Sequence, residues 1–137
     1  MLQWDDILHG KVCPYCGEKT EYVDSEAVYG KGNSYGMIYL CRPCKAYVGV
    51  HKNTNKALGR LADSALRYWK KKAHEVFDKL WQRKMEESKL QKFVARNKAY
   101  KWLAGELEID EDYCHIGYFD VDQCKQVYYL CKKYIKD

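Results

Sequence analysis

From residue 58 onward, apolar residues recur at helical spacing. Leu58, Leu61, Ala62, Ala65, Leu66, Trp69, Ala73, Val76, Phe77 and Leu80 follow the i, i+3, i+4, i+7 pattern. It predicts a long helix over about 57–81, with Asn53, Thr54 and Asn55 as N-cap candidates. A second helix is expected over about 87–107, with Leu90, Phe93, Val94, Tyr100, Leu103, Ala104 and Leu107 facing inward. A third is expected over about 120–135. There Asp120 and Gln123 make a capping-box pair, flanked by Phe119 and Cys124 in staple positions. Cys124, Val127, Tyr128, Cys131 and Ile135 then share one face, so Cys124 and Cys131 read as buried, apolar-like thiols.

Before residue 57 the pattern is that of short strands. "KTEYVDSEAVYG" and "SYGMIYLC" are rich in Val, Ile and Tyr and are separated by the turn-forming "GKGNS", and "AYVGVH" reads as a third strand. The expected fold is therefore α+β. A β unit of three short strands, residues 1–56, is followed by a helical segment, residues 57–137, holding the long helix and a small C-terminal bundle.

The cysteines fall at the turns of the β unit. Cys13-Pro14-Tyr15-Cys16 lies before the first strand, and Cys41-Arg42-Pro43-Cys44 between the second and third. The first tetrapeptide is also what a glutaredoxin-like thiol enzyme carries at a helix start. Such a cysteine owes its low pKa to that helix, yet here the motif runs into Gly17 and strand-like residues. Both prolines of the chain lie inside the two motifs, which leaves none for the cis-Pro loop of that fold. Two CxxC turns joined by a hairpin bring four thiolates into a tetrahedron, the arrangement of a zinc ribbon. Cys13, Cys16, Cys41 and Cys44 are thus the expected ligands of one structural zinc ion, and Gly17 supplies the positive φ that a knuckle turn needs. Four thiolates leave no open position for a substrate, so the metal is expected to stabilise rather than catalyse. Lys11, Lys19, Arg42 and Lys45 surround the cysteines and either temper the centre's negative charge or are simply solvated.

Composition narrows the classes. Hydrophobic residues make up 47% and aromatics 15%, enough for a real core. No apolar stretch reaches the roughly 20 residues of a membrane span. "MLQWDDILHG" lacks a signal-like run, and seven cysteines without one point to reduced thiols or ligands in a cytoplasmic protein. The net charge of +5 is uneven: residues 66–101 carry +8 and residues 102–137 carry −4.

Within the basic block, Arg67, Lys71, His74 and Asp78 line one polar stripe of the long helix. Arg67 and Lys71 would hold a phosphate while His74 and Asp78 act as base and orienter. The plainer reading, and the preferred one, is a solvated face with an i, i+4 pair. Cys114 and His115 precede the last helix, but a site of Cys114, His115, Cys124 and Cys131 matches no common zinc spacing.

Taken together, "CPYCG", "YLCRPCKAYVGVH", "LGRLADSALRYWKKKAHEVFDKLW", "AYKWLAGELEI" and "CHIGYFDVDQC" make the chain resemble a family of zinc-finger-containing domain proteins of unknown function found in bacteria and their phages. The resemblance runs from Cys13 to about Cys131. It implies a zinc module fused to a helical segment. Matching positions include Cys13, Cys16, Cys41, Cys44, His51, Arg67, His74, Asp78, His115 and Gly117, while Ala57 stands where that family carries a Pro.

Three functions follow as expectations. The first is a nucleic-acid-binding accessory protein for DNA or RNA, contacting phosphates through Arg67, Lys70, Lys71 and Lys72, with Trp69, Trp81, Phe93 and Tyr100 among the basic residues. The second is an adaptor for another protein, with the basic middle and acidic end as docking surfaces. The third is a hydrolase or nuclease using His51, His74, Asp78 and His115. The first is preferred, no residue is assigned as catalytic, and no membrane partner is expected.

Overall fold

The computed structural model describes residues 4–135, so the outer ends of the expected 1–56 and 57–137 units lie outside the described residues. The chain separates into two compact units, Met1–Ser64 and Ala65–Asp137. The fold is α+β: a small three-stranded antiparallel sheet with a cysteine cluster, then a long helix and further helices.

The first unit opens with a short helix, α1 (Trp4–Leu8), which buries Ile7 and Leu8. The sequence pattern did not predict it, because five residues are too few to show a period. The sheet follows in the order β1 (Glu21–Asp24), β2 (Met37–Cys41) and β3 (Ala46–Gly49). Tyr22 pairs with Tyr39 and Val23 with Ile38, while Tyr39 pairs with Val48 and Cys41 with Ala46. Strand alternation sends Tyr39, Cys41, Ala46 and Val48 to one face, where they pack with Cys13, Ala57 and Leu61. A helical turn, α2 (Glu26–Tyr29), interrupts what the sequence pattern reads as one long strand. Buried Ser25 precedes it, its backbone N–H donating to Gly36 O at 2.9 Å. At Gly10 the chain passes so closely that a Cβ would stand 2.9 Å from the Ala57 methyl, with φ at +77°.

The long helix, α3, spans Ser64–Ser88 rather than 57–81. Residues 57–62 return along β3 instead. Val50 bridges Ala57, Tyr47 bridges Ala62, and Leu58 donates its N–H to Gly49 O at 2.9 Å. Those backbone groups are taken by the sheet and cannot start a helix. Asn53, Thr54 and Asn55, the expected caps, sit in the intervening turn, where Thr54 Oγ1 donates to His51 O at 2.8 Å and Asn53 adopts φ +62°. Small polar residues serve caps and turns by the same local hydrogen bonds, so the sequence signal is ambiguous between them. Leu58, expected inward, is exposed.

In the second unit α3 is followed by α4 (Lys92–Leu107), the 3-10 turns Glu111–Tyr113 and Ile116–Tyr118, and α5 (Val121–Ile135). The expected start at 87 falls inside α3, which is closed just past Ser88 by Lys89 at φ +53° and the Leu90 N–H reaching back to Met85 O, a Schellman closure. α4 ends the same way, with Glu108 left-handed and Ile109 N–H bonded to Ala104 O. At α5 the Asp120–Gln123 pair is reciprocal: Gln123 N–H donates to Asp120 Oδ1 at 2.8 Å and Asp120 N–H to Gln123 Oε1 at 3.1 Å. Phe77, Leu103, Ile116, Phe119, Val127, Cys124 and Cys131 are buried. Phe93, expected inward, is 63% exposed, and Ala95 takes the buried position on that turn of α4. Among the described residues no helix is long and apolar enough to cross a membrane.

Candidate metal centre

The first CxxC turn is the tip of a small hairpin. Val12 bridges Lys19, Cys13 N–H donates to Glu18 O at 2.9 Å, and Thr20 N–H donates to Lys11 O at 3.1 Å. Inside it Gly17 N–H returns to Cys13 O at 2.9 Å with φ +78°, and Tyr15 N–H points at Cys13 Sγ at 3.4 Å. Cys16 therefore leads into a tight reversal and not into a helix, which removes the redox reading's source of thiol activation. The second turn joins β2 to β3. Lys45 holds the position equivalent to Gly17, at φ +53°, with its N–H on Arg42 O at 3.2 Å. Tyr15 fastens the first turn to the end of this unit, its hydroxyl accepting from Asp63 N–H at 3.2 Å.

The four sulfurs of Cys13, Cys16, Cys41 and Cys44 lie within 4.8 Å of one another. Zinc–thiolate bonds of about 2.3 Å at tetrahedral angles set sulfurs roughly 3.8 Å apart. Cys16 and Cys41 already stand at 3.7 Å. All four are free cysteines; Cys13 and Cys41 are buried, and Cys16 is exposed. Burial pushes the Cys13 thiol up, while the Glu18 backbone N–H draws Cys16 down. Thiols packed this closely cannot ionise together unless a cation offsets their charge. The donor set and its spacing fit one structural zinc ion, with no position left for a substrate. Of the neighbouring cations, Arg42 pairs with Glu21 at 2.8 Å and Lys11 lies over the Tyr39 ring at 5.9 Å.

The remaining candidates divide between the units. His51 belongs to the first, in the turn after β3, where its backbone N–H donates to Lys56 O at 2.8 Å. His74, Asp78 and His115 belong to the second. His74 and Asp78 stand one turn apart on α3, and Asp78 accepts from Trp81 Nε1 at 2.8 Å. Burial lowers the His74 pKa against the pull of Asp78, and Lys70 and Arg96 lower it further. His115 lies tilted against Tyr100 and edge-on to Tyr118, at 5.5 and 5.2 Å between ring centroids, and its pKa is lowered by partial burial and then by Arg96. Arg96, which lies 5.6 Å over Tyr100, is thus a shared neighbour of both histidines that the stripe pattern on α3 alone does not reveal.

The basic residues expected at phosphates have separate settings. Lys70 Nζ donates to Gly117 O at 3.0 Å, Lys72 lies 5.6 Å over the Tyr68 ring, Lys71 is exposed and Arg67 is half-buried. Of the aromatics expected among them, Trp81 is buried and Tyr100 packs on Phe77 at 4.5 Å. Exposed Tyr68 and Tyr129 and half-buried Tyr128 instead lie with Trp69, a grouping of two helices that no local sequence pattern signals.

No curated protein and no solved structure matches the chain. A model of the zinc-finger-containing domain matches residues 9–134, nearly its whole length, and the chain belongs to that family.

Proposed function

We propose that the protein is a nucleic-acid-binding module whose zinc centre is structural. The observation that carries this reading is a surface of alternating rings and lysines on α3 and α5. Lys72 lies over Tyr68, Tyr68 meets Trp69 edge-on at 5.5 Å, and Lys125 lies 5.3 Å over Trp69. Trp69 also meets Tyr128 at 5.8 Å, with Lys132 5.2 Å over that ring. Tyr68 and Tyr129 remain 55% and 58% exposed. An exposed cation–π contact is worth only about 0.5–1 kcal/mol, so the ammonium groups can exchange the rings for phosphates at little cost. The freed ring faces are then available for base stacking.

The test is binding of DNA and RNA oligonucleotides across a salt series. Affinity should fall steeply with salt, and the combined changes Lys72→Ala, Lys125→Ala and Lys132→Ala should weaken binding and flatten that dependence. Binding that ignores salt and these changes would sink the reading. A second reading, a protein adaptor, is favoured by an apolar groove of ≈ 390 Å³ lined by Leu80, Trp81, Ala95, Ala99, Trp102 and Tyr134. It predicts a defined protein complex that is indifferent to nucleic acid. A hydrolase or nuclease reading rests on His74, Asp78 and His115, and requires His74→Ala to remove an activity while leaving the fold intact.

A further inference from the structure

The zinc-bearing unit carries a cleft of ≈ 550 Å³ whose lining lies wholly within that unit. One wall is a chain of tyrosines. Tyr29 meets Tyr35 edge-on at 5.1 Å and Tyr47 edge-on at 5.9 Å, and the Tyr29 and Tyr47 hydroxyls are hydrogen-bonded at 3.0 Å. The other rim is the turn after β3, with His51, Lys52 and Asn53.

Tyr35 is the unusual member. Its side chain is 79% exposed, yet its backbone is fixed: the Tyr35 N–H donates at 2.6 Å to the hydroxyl of Ser25, itself only 1% exposed. A large ring is therefore presented to solvent from an anchored backbone, with the edge contact to Tyr29 on one side, and it contributes little to the core. Such an arrangement lowers the ordering cost of binding a flat ligand. The floor is open because Gly49 has no side chain. Its φ is not in the left-handed region, and an added Cβ would meet only Leu58 Cδ1, at an ordinary 3.6 Å. No described residue lining the cleft is acidic, and Lys52 is a fully compatible partner for a phosphate.

The geometry points to a pocket for an unpaired nucleobase of a single strand, stacked on the face of Tyr35 and bordered by Tyr29, with its phosphate at Lys52. The volume lies within the range of small-ligand sites. A base inside a duplex has both faces covered and cannot enter, whereas a splayed one presents a free π-face. This inference rests on the nucleic-acid reading and gives it a preference, single strand over duplex, located on the other unit from the lysine–aromatic surface.

The test compares a short single-stranded oligonucleotide, the same sequence as duplex, and free adenosine monophosphate, with the zinc-loaded full chain. Tyr35→Ala alters an exposed ring, and Gly49→Val fills the floor without backbone strain; an unchanged zinc-to-protein ratio shows that each variant is folded. The expected result is tighter binding of the single strand than the duplex, with each variant weakening the single strand about tenfold and leaving the duplex unchanged. If both variants bind the single strand like the parent while Lys72→Ala, Lys125→Ala and Lys132→Ala weaken both forms, the pocket is overturned and the nucleic-acid reading stands. If neither oligonucleotide binds but the nucleotide does, and Tyr35→Ala abolishes that, the pocket recognises free nucleotides and the broader reading falls. Absence of binding to all three overturns both.

Discussion

Cys16 Sγ of the first CxxC turn stands 3.7 Å from Cys41 Sγ of the second, although 25 positions separate them in the chain. Two independent turns are thereby clamped at the spacing a tetrahedral ion imposes. A sheet of three strands, each of four or five residues, has little core of its own, so metal binding carries much of the folding energy, on the order of 10 kcal/mol.

Chelation of the zinc-loaded protein should therefore release one zinc per chain and expose four thiols together. Cys114 and Cys131 should stay unreactive, because burial pushes their thiols up to about 11 and about 12. Mass-spectrometric mapping of alkylation before and after chelation reads this directly. Labelling of Cys131 ahead of Cys16 would contradict it.

The two metal turns are unequal. Gly17 adopts its positive φ freely, whereas Lys45 holds φ +53° with a Cβ. Lys45→Gly should raise stability by about 1 kcal/mol, offset in part by the greater freedom of the unfolded chain. Gly17→Val should lower it and weaken zinc retention. Thermal unfolding at fixed zinc concentration measures both, and a destabilised Lys45→Gly variant would refute the strain argument.

The start of α5 offers a cleaner helix test. Asp120→Ala removes the acceptor for Gln123 N–H and should cost about 1 kcal/mol. Gln123→Ala breaks only the return bond and should cost less. Denaturant midpoints at constant slope would show the order; equal losses would mean that the cap is not reciprocal in solution.

His74 gives a pH dependence of defined sign. Its pKa in the folded chain lies below the ordinary 6.5, chiefly through burial. The unfolded chain thus binds the proton first as pH falls. Stability from this group is complete above the unfolded value, and declines from there until the folded pKa is passed. The imidazole resonance of His74 should titrate below that of a solvated histidine, and His74→Gln should remove this part of the slope. A midpoint at or above 6.5 would reverse the assignment.

The two CxxC motifs, their hairpin spacing and Gly17 were legible because metal chemistry constrains residue type and separation together. The Asp120–Gln123 cap was legible for a similar reason: both partners lie within one turn. The start of α3 was not. Leu58, Leu61 and Ala62 keep helical period by chance of composition, while their backbone bonds go to β3, a tertiary pairing that no local pattern encodes. Nor could periodicity find the Tyr29–Tyr35–Tyr47 wall, since it depends on a four-residue helical turn inserted between strands.

The return of residues 57–62 along β3 has a consequence for solubility. β3 would otherwise end the sheet with a row of open backbone donors and acceptors, the template on which chains aggregate. Its bridges at Val50–Ala57 and Tyr47–Ala62 cover that side. The opposite margin, β1, is only four residues long, carries the Glu21–Arg42 ion pair and ends in Asp24, so it offers a like strand a short and charged edge. Had the helical pattern beginning at Leu58 been obeyed, the small domain would have gained two turns of helix and lost its selvedge.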